Sequence, residues 1–348
     1  MASDGLSRTV AARGDLEGIF IVESGTGKGI RLRFDGGLDQ EVIGGDGRCA
    51  DLALDSEYLL CARNAAETQT YSVVRKRIVG PGTQTVSVSS VEERTTLNPR
   101  IFAENNVALL VAERQLFAIP TASTIVPLPV EQDGFEPHEF PIAALLQGTR
   151  AFRLFSWSKR GRDFVESIGS LDGGTVKTEV RFVVPTDAGV PQSLRSSFVF
   201  ANEDKVRVLA IHKKSESCQE LRFFEGATAR NATEMAIAQW GKTLVEFGHE
   251  RMALLDEGKD IFAVLDVRRP STETLYLIQP FESDFKMLRI DLPATGSEDE
   301  IFESAQLITL SNELLIISGA QDGRSLTRLH RLSRPELLKQ FTTLGTAP

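Results

Sequence analysis

The groups of this sequence that could do chemistry are four histidines, three cysteines and a few short basic runs, and their spacing limits what that chemistry can be. None of His138, His212, His249 and His330 lies three to five residues from another His or Cys, so no local metal pair exists and a metal site would have to converge from distant segments. His138 and His249 each stand beside a carboxylate, in Glu136-Pro137-His138-Glu139 and Gly248-His249-Glu250, an arrangement suited to general acid/base work. Cys49, Cys61 and Cys218 cannot all pair, and no two have the close spacing of a zinc knuckle or a redox motif, so reduced thiols are expected. Gly25-Thr26-Gly27-Lys28-Gly29 departs from a phosphate loop, with Val22 where its first Gly belongs and Gly29 where a Ser or Thr would hold magnesium. It reads as a hairpin loop. A Gly-x-Ser-x-Gly nucleophile turn is missing as well.

The charged residues sort by place. Lys159-Arg160-Gly161-Arg162, His212-Lys213-Lys214 and Arg268-Arg269 are basic, and Arg324 follows them. Acids cluster elsewhere, in Glu131, Asp133, Glu136 and Glu139 and in Glu298, Asp299, Glu300 and Glu303. With 39 Lys and Arg against 48 Asp and Glu the net charge is −9, which argues against wholesale binding of nucleic acid and leaves room for a local basic patch. The aromatic candidates for contact anchors are Trp157, Trp240 and Phe135.

These groups must be positioned by strands. A short apolar segment rich in Leu and β-branched residues recurs seven times: Ile19 to Glu23, Tyr58 to Ala62, Val107 to Ala112, Ala151 to Ser156, Val206 to Ile211, Ile261 to Leu265 and Leu314 to Ser318. The mean period is about 49 residues, which falls among the periods of repeat folds built from four-stranded units. Each copy reads as the second of four strands, a to d, and polar turns such as Asp55-Ser56-Glu57 and Ser311-Asn312-Glu313 join a to b as antiparallel hairpins require. The last unit reads as Ala305 to Leu310, Leu314 to Ser318, Leu326 to Leu332 and Lys339 to Leu344, with a Pro-initiated helical look at Arg334 to Gln340. A pair of β-sandwiches would also fill the chain but gives no reason for the period.

In period and patterning the chain resembles the seven-bladed β-propeller superfamily along essentially its whole length. It lacks the Trp-Asp marker of WD40 repeats, carries Gly-His only once, at Gly248-His249, and does not repeat the double glycines of kelch repeats or the aspartate loops of calcium-binding propellers. The resemblance implies an all-β, single-domain propeller of seven four-stranded antiparallel blades, at approximately 8–44, 48–91, 98–130, 140–184, 196–239, 251–292 and 304–344. It places the b–c and d–a loops on one face. There Lys159, Arg160, Arg162, Lys213, Lys214, Arg268, Arg269 and Arg324 would form a basic arc, with Trp157, Trp240 and Phe135 beside it. His138, Glu139, His249 and Glu250 would lie in d–a loops of that face.

The expected function is a non-catalytic protein–protein interaction module, binding a partner through an acidic or phosphorylated segment without a cofactor. The competing reading is a hydrolase or lactonase-like enzyme at the channel mouth, using His138, His249, Glu139 and Glu250. A third is a carbohydrate-binding lectin, which two tryptophans across seven repeats support poorly. Met1 to Arg13 carries no apolar core of a signal peptide and no apolar run reaches membrane length, so a soluble, cytoplasmic protein is expected.

Overall fold

Alternating apolar and polar residues between tight turns dictate antiparallel hairpins, and the computed structural model of the chain consists almost wholly of them. It describes 27 strands and one helix, with Pro99, Asn202, Lys205, residues 257–260, Ser283, Leu292 and residues 310–312 between them. Side chains are described for part of the residues within 51–75, 99–119, 144–170, 197–226, 252–292 and 307–343.

Among the described residues the strands form seven antiparallel sheets, each in chain order. The first holds β1–β4 (Thr9–Gly14, Gly18–Glu23, Lys28–Arg33, Leu38–Val42), and the second β5–β8 (Cys49–Asp55, Tyr58–Ala65, Thr70–Arg77, Thr83–Ser89). The third holds β9–β12 (Arg100–Glu104, Val107–Ala112, Gln115–Pro120, Leu128–Pro129), and the fourth β13–β16 (His138–Gln147, Ala151–Ser158, Asp163–Ser170, Lys177–Val183). The fifth holds β17–β20 (Ser197–Ala201, Val206–Ser215, Cys218–Gly226, Thr233–Gly241), and the sixth β21–β24 (Met252–Asp256, Ile261–Arg268, Thr272–Phe281, Asp284–Asp291). The seventh has three strands, β25–β27 (Phe302–Thr309, Glu313–Ala320, Leu326–Ser333), followed by α1 (Arg334–Thr343). Every recurrent apolar segment is the second strand of its sheet.

The chain divides into two compact units, Ser7–Arg181 and Phe182–Pro348, the second also taking in Met1–Leu6. In the first unit the third sheet lies between its neighbours. Ala108 and Leu110 of β10 pack with Leu60, Ala62 and Val73 of the second sheet, while Val107, Leu109 and Val111 pack with Leu146, Phe152 and Leu154 of the fourth. The second unit repeats this plan at the sixth sheet. Phe262 and Val264 of β22 meet Leu209, Leu221 and Phe223, and Ile261, Ala263 and Leu265 share a core with Leu307, Leu314 and Ile316 of the seventh sheet. A strand covered on both faces is apolar along its buried stretch, which is why 107–111 of β10 and 261–265 of β22 stand out as unbroken apolar runs. Each buried Leu, Ile or Phe contributes about 1.5–3 kcal/mol.

Two expectations are corrected here. Residues 339–343 of the expected last strand are helical. Ser333-Arg334-Pro335-Glu336 is a helix start: the Ser333 hydroxyl accepts from the Glu336 amide at 3.4 Å, Pro335 presets φ, and Glu336 suits the positive end. Leu337 and Phe341, four apart, then enter the core between the sixth and seventh sheets, with Lys286 Nζ 4.7 Å from the Phe341 ring centre. The second correction is chemical. Cys61, fully buried in β6, is disulfide-bonded, because a disulfide needs two cysteines close in space and not close in sequence.

Candidate functional site

In each four-stranded sheet, the b strand ends where the c strand begins, at the end of the sheet that also carries the start of strand a. The fifth and sixth sheets lie in one unit and present basic residues at this end. Lys213 and Lys214 stand near the end of β18, whose pairing with β19 runs through Lys213↔Gln219 to Ser215↔Cys218. Arg268 is the last residue of β22 and pairs with Thr272. Both b strands outrun their apolar segments because backbone pairing continues wherever a partner strand is available. The expectation of loop positions is thereby corrected: Lys213, Lys214 and Arg268 are strand residues at the rim.

The same correction applies to four others. His138 and Glu139 open β13, where His138 pairs with Ser158, and do not lie in a d–a loop. Trp157 is inside β14, paired with Phe140 and Phe164, and Trp240 is inside β20, next to the register shift at Gln219/Glu220. Phe135, Lys159, Arg160, Arg162, His249, Glu250, Arg269 and Arg324 lie outside the described residues.

Beneath Arg268 the sixth sheet holds buried acids. Asp266 is fully buried and pairs with Thr274, on the face that packs toward the fifth sheet through Phe262 and Val264. The Thr274 hydroxyl is 3.2 Å from Asp291 Oδ1, and Arg289 Nη2 is 2.9 Å from the same oxygen. Glu273, next in sequence and hence on the opposite face, meets His330 of β27, with Oε2 and Nε2 3.3 Å apart. His330 is half-buried in a c strand, and its partner joins the sixth and seventh sheets. Sequence reasoning missed Asp266 and Glu273. A lone carboxylate inside the apolar run of β22 was the signal for the first.

The opposite end of this unit is built differently. Arg207 is buried, its Nε 2.8 Å from Asp260 Oδ1 in the β21–β22 turn and 3.3 Å from Glu225 Oε2, and its guanidinium lies 5.7 Å from the Phe200 ring centre. Lys205 Nζ reaches Glu225 at 3.0 Å and Asn202 donates to Glu257 at 2.9 Å. Asp260 adopts φ 53°, the left-handed region that Asp tolerates. Burial raises the Glu225 carboxyl, but hydrogen bonds and charge from Lys205 and Arg207 outweigh it and hold the pKa below 4.5. Asp260 is raised above 3.8 by burial, which the Arg207 charge only partly opposes.

In the other unit, Arg153 and the fully buried Glu166 pair within the fourth sheet at 2.5 Å, and Asp51 links the second and third sheets through Arg100 at 3.2 Å and the Ile101 amide at 2.9 Å. No group of three or more His, Cys, Asp or Glu poised to hold a metal exists among the described residues. No described helix is long and apolar enough to cross a membrane.

No family model matches this sequence, and no curated protein does. Solved structures do. Selenomethionine-substituted virginiamycin B lyase from Staphylococcus aureus superposes with a TM-score of 0.58 at 10% identity, over 95% of this chain and 96% of that one. The fold is that of a β-propeller. A catalytically inactive form of the same lyase with quinupristin gives 0.53 at 11% identity, over 96% and 97% of the two chains. KlHsv2 with one loop replaced by a Gly-Ser linker gives 0.51 at 11%, over 94% and 98%. At such identity these likenesses concern the fold of the propeller and leave its chemistry to its own residues.

Proposed function

We propose that this propeller is a non-catalytic interaction module that binds an acidic or phosphorylated segment of a partner protein on the face carrying its b–c and d–a loops. The observation that carries the reading is register: Lys213, Lys214 and Arg268 terminate the b strands of two neighbouring sheets at the same end, on a chain of net charge −9. A local positive rim on an acidic protein orients acidic partners by long-range attraction and takes their carboxylates or phosphates in charge-assisted hydrogen bonds. Lys159, Arg160, Arg162, Arg269 and Arg324 extend that rim in the proposal. Trp157, Trp240 and Phe135 supply apolar anchors, and no cofactor takes part.

The described His–carboxylate contact, His330 with Glu273, lies outside the acid/base candidates of the enzymatic reading. Glu273 is 1% exposed and joins two sheets, so it serves packing in place of proton transfer to a substrate. The enzymatic alternative keeps His138, Glu139, His249 and Glu250 as its acid/base candidates. The test is affinity capture with the native chain and with a folded variant carrying Glu at Arg160, Arg162, Lys213, Lys214, Arg268 and Arg269. A partner held at low salt, released at high salt and not held by the variant is the expected result. Equal retention by both proteins would refute the basic rim.

A further inference from the structure

The disulfide at Cys61 has only two possible partners, since the chain contains three cysteines. Cys218 opens β19 in the fifth sheet, in the other compact unit. Cys49 opens β5, the strand adjoining Cys61 in the same sheet. The register is Leu52↔Cys61, Asp51↔Ala62 and then Cys49↔Arg63, so Ala50 is an extra residue in β5. Arg63 and Cys61 are two apart and share a face of β6, and Cys49, opposite Arg63, is placed on that face as the diagonal neighbour of Cys61.

A regular diagonal pair keeps its Cβ atoms about 7–8 Å apart, whereas a disulfide needs roughly 3.8 Å. A one-residue bulge bends and twists its strand, and this bulge sits beside Cys49, where that approach is needed. We infer that Cys49 and Cys61 form a cross-strand disulfide that clamps the first two strands of the second sheet, with Cys218 left as a thiol. Forming it removes one hydrogen from each of the two thiols. The two electrons and two protons pass to a disulfide oxidant, such as an oxidoreductase disulfide or oxidised glutathione, by thiol–disulfide exchange.

Cys61 has no exposed surface, so an external thiol cannot reach its sulfur without opening the sheet. In the folded protein, reduction of the bond is therefore left to attack at the Cys49 sulfur. The bond also means that the native chain has met a thiol oxidant, in contrast to the reduced protein expected from cysteine spacing.

The sequence provides a direct test. Arg48 and Arg63 flank both cysteines with no Lys or Arg between, so trypsin releases Cys49 and Cys61 on one peptide, 49–63, and cleavage after Glu57 divides it. Protein from its native source is denatured in excess alkylating maleimide, digested and mapped by mass spectrometry. The expected result is peptide 49–63 unalkylated and lighter by two hydrogens than its reduced form, held together after cleavage at Glu57, with Cys218 alkylated. Two maleimides on peptide 49–63, or a bridge to the Cys218 peptide, would overturn the assignment. As an independent readout, Cys49→Ser is expected to lower the melting midpoint by about 5 °C relative to the oxidised protein. An unchanged midpoint would contradict a clamp.

Discussion

The two ends of the second unit differ in where their charged residues stand. At the end with the a–b turns, Arg207, Lys205 and Arg331 are each matched with a carboxylate, Asp260 or Glu225 for the first, Glu225 for the second and Glu313 for the third, and α1 is tied to that end by Arg334. At the other end, Lys213, Lys214 and Arg268 terminate b strands while the acids below them, Asp266 and Glu273, are buried in the sheet. Of these pairs Arg207–Asp260 joins neighbouring sheets, while the others brace strands of one sheet. In the proposed reading, the basic residues placed at the other rim would serve recognition of an acidic partner.

If the a–b end is structural, breaking it should unfold the protein. Phe341→Ala empties a fully buried site in the core shared by α1 and the sixth and seventh sheets, with an expected loss of about 3–5 kcal/mol in denaturant unfolding. Arg207→Ala comes next. It strands Asp260 and Glu225 without their buried cation, and since both acids keep some exposure the expected loss is about 3 kcal/mol, the low end for a broken buried pair.

The pH dependence follows from the same network. The folded pKa of Glu225 lies below 4.5, so its contribution to stability is complete above the unfolded value and is lost as pH falls through the folded one. Asp260 has the opposite sign: raised above 3.8, it favours the folded state at low pH and loses that contribution as pH rises through its folded value. Glu225→Gln should therefore flatten the acid limb of the stability–pH curve measured by denaturant unfolding. Asp260→Asn should change neutral-pH stability by less than about 1 kcal/mol, since Asn also tolerates positive φ and a desolvated charge is removed along with its ion pair.

Much of this architecture was legible because burial on both faces leaves a strong trace. The stretches 107–111 of β10 and 261–265 of β22 are apolar at every position since each faces two neighbouring sheets. Strand ends were less legible. Lys213, Lys214 and Trp240 look like loop residues, yet the backbone pairs through them, because hydrogen bonding at a rim does not depend on side-chain type. The last segment went astray where two readings overlapped, since Ser333-Arg334-Pro335-Glu336 caps a helix that runs into the expected strand. The Cys61 bond was hidden for a third reason: a disulfide joins cysteines close in space, and sequence spacing does not record that closeness.

The direct test of the contrast between the ends is binding of a fluorescein-labelled, glutamate-rich peptide at low salt, followed by anisotropy for two folded variants. One carries Lys213→Glu, Lys214→Glu and Arg268→Glu, and the other Lys205→Glu and Arg331→Glu. The account predicts that the first loses affinity about tenfold or more while the second stays within about twofold of wild type. No binding by the wild type, equal losses in both variants, or a loss confined to the second would contradict it.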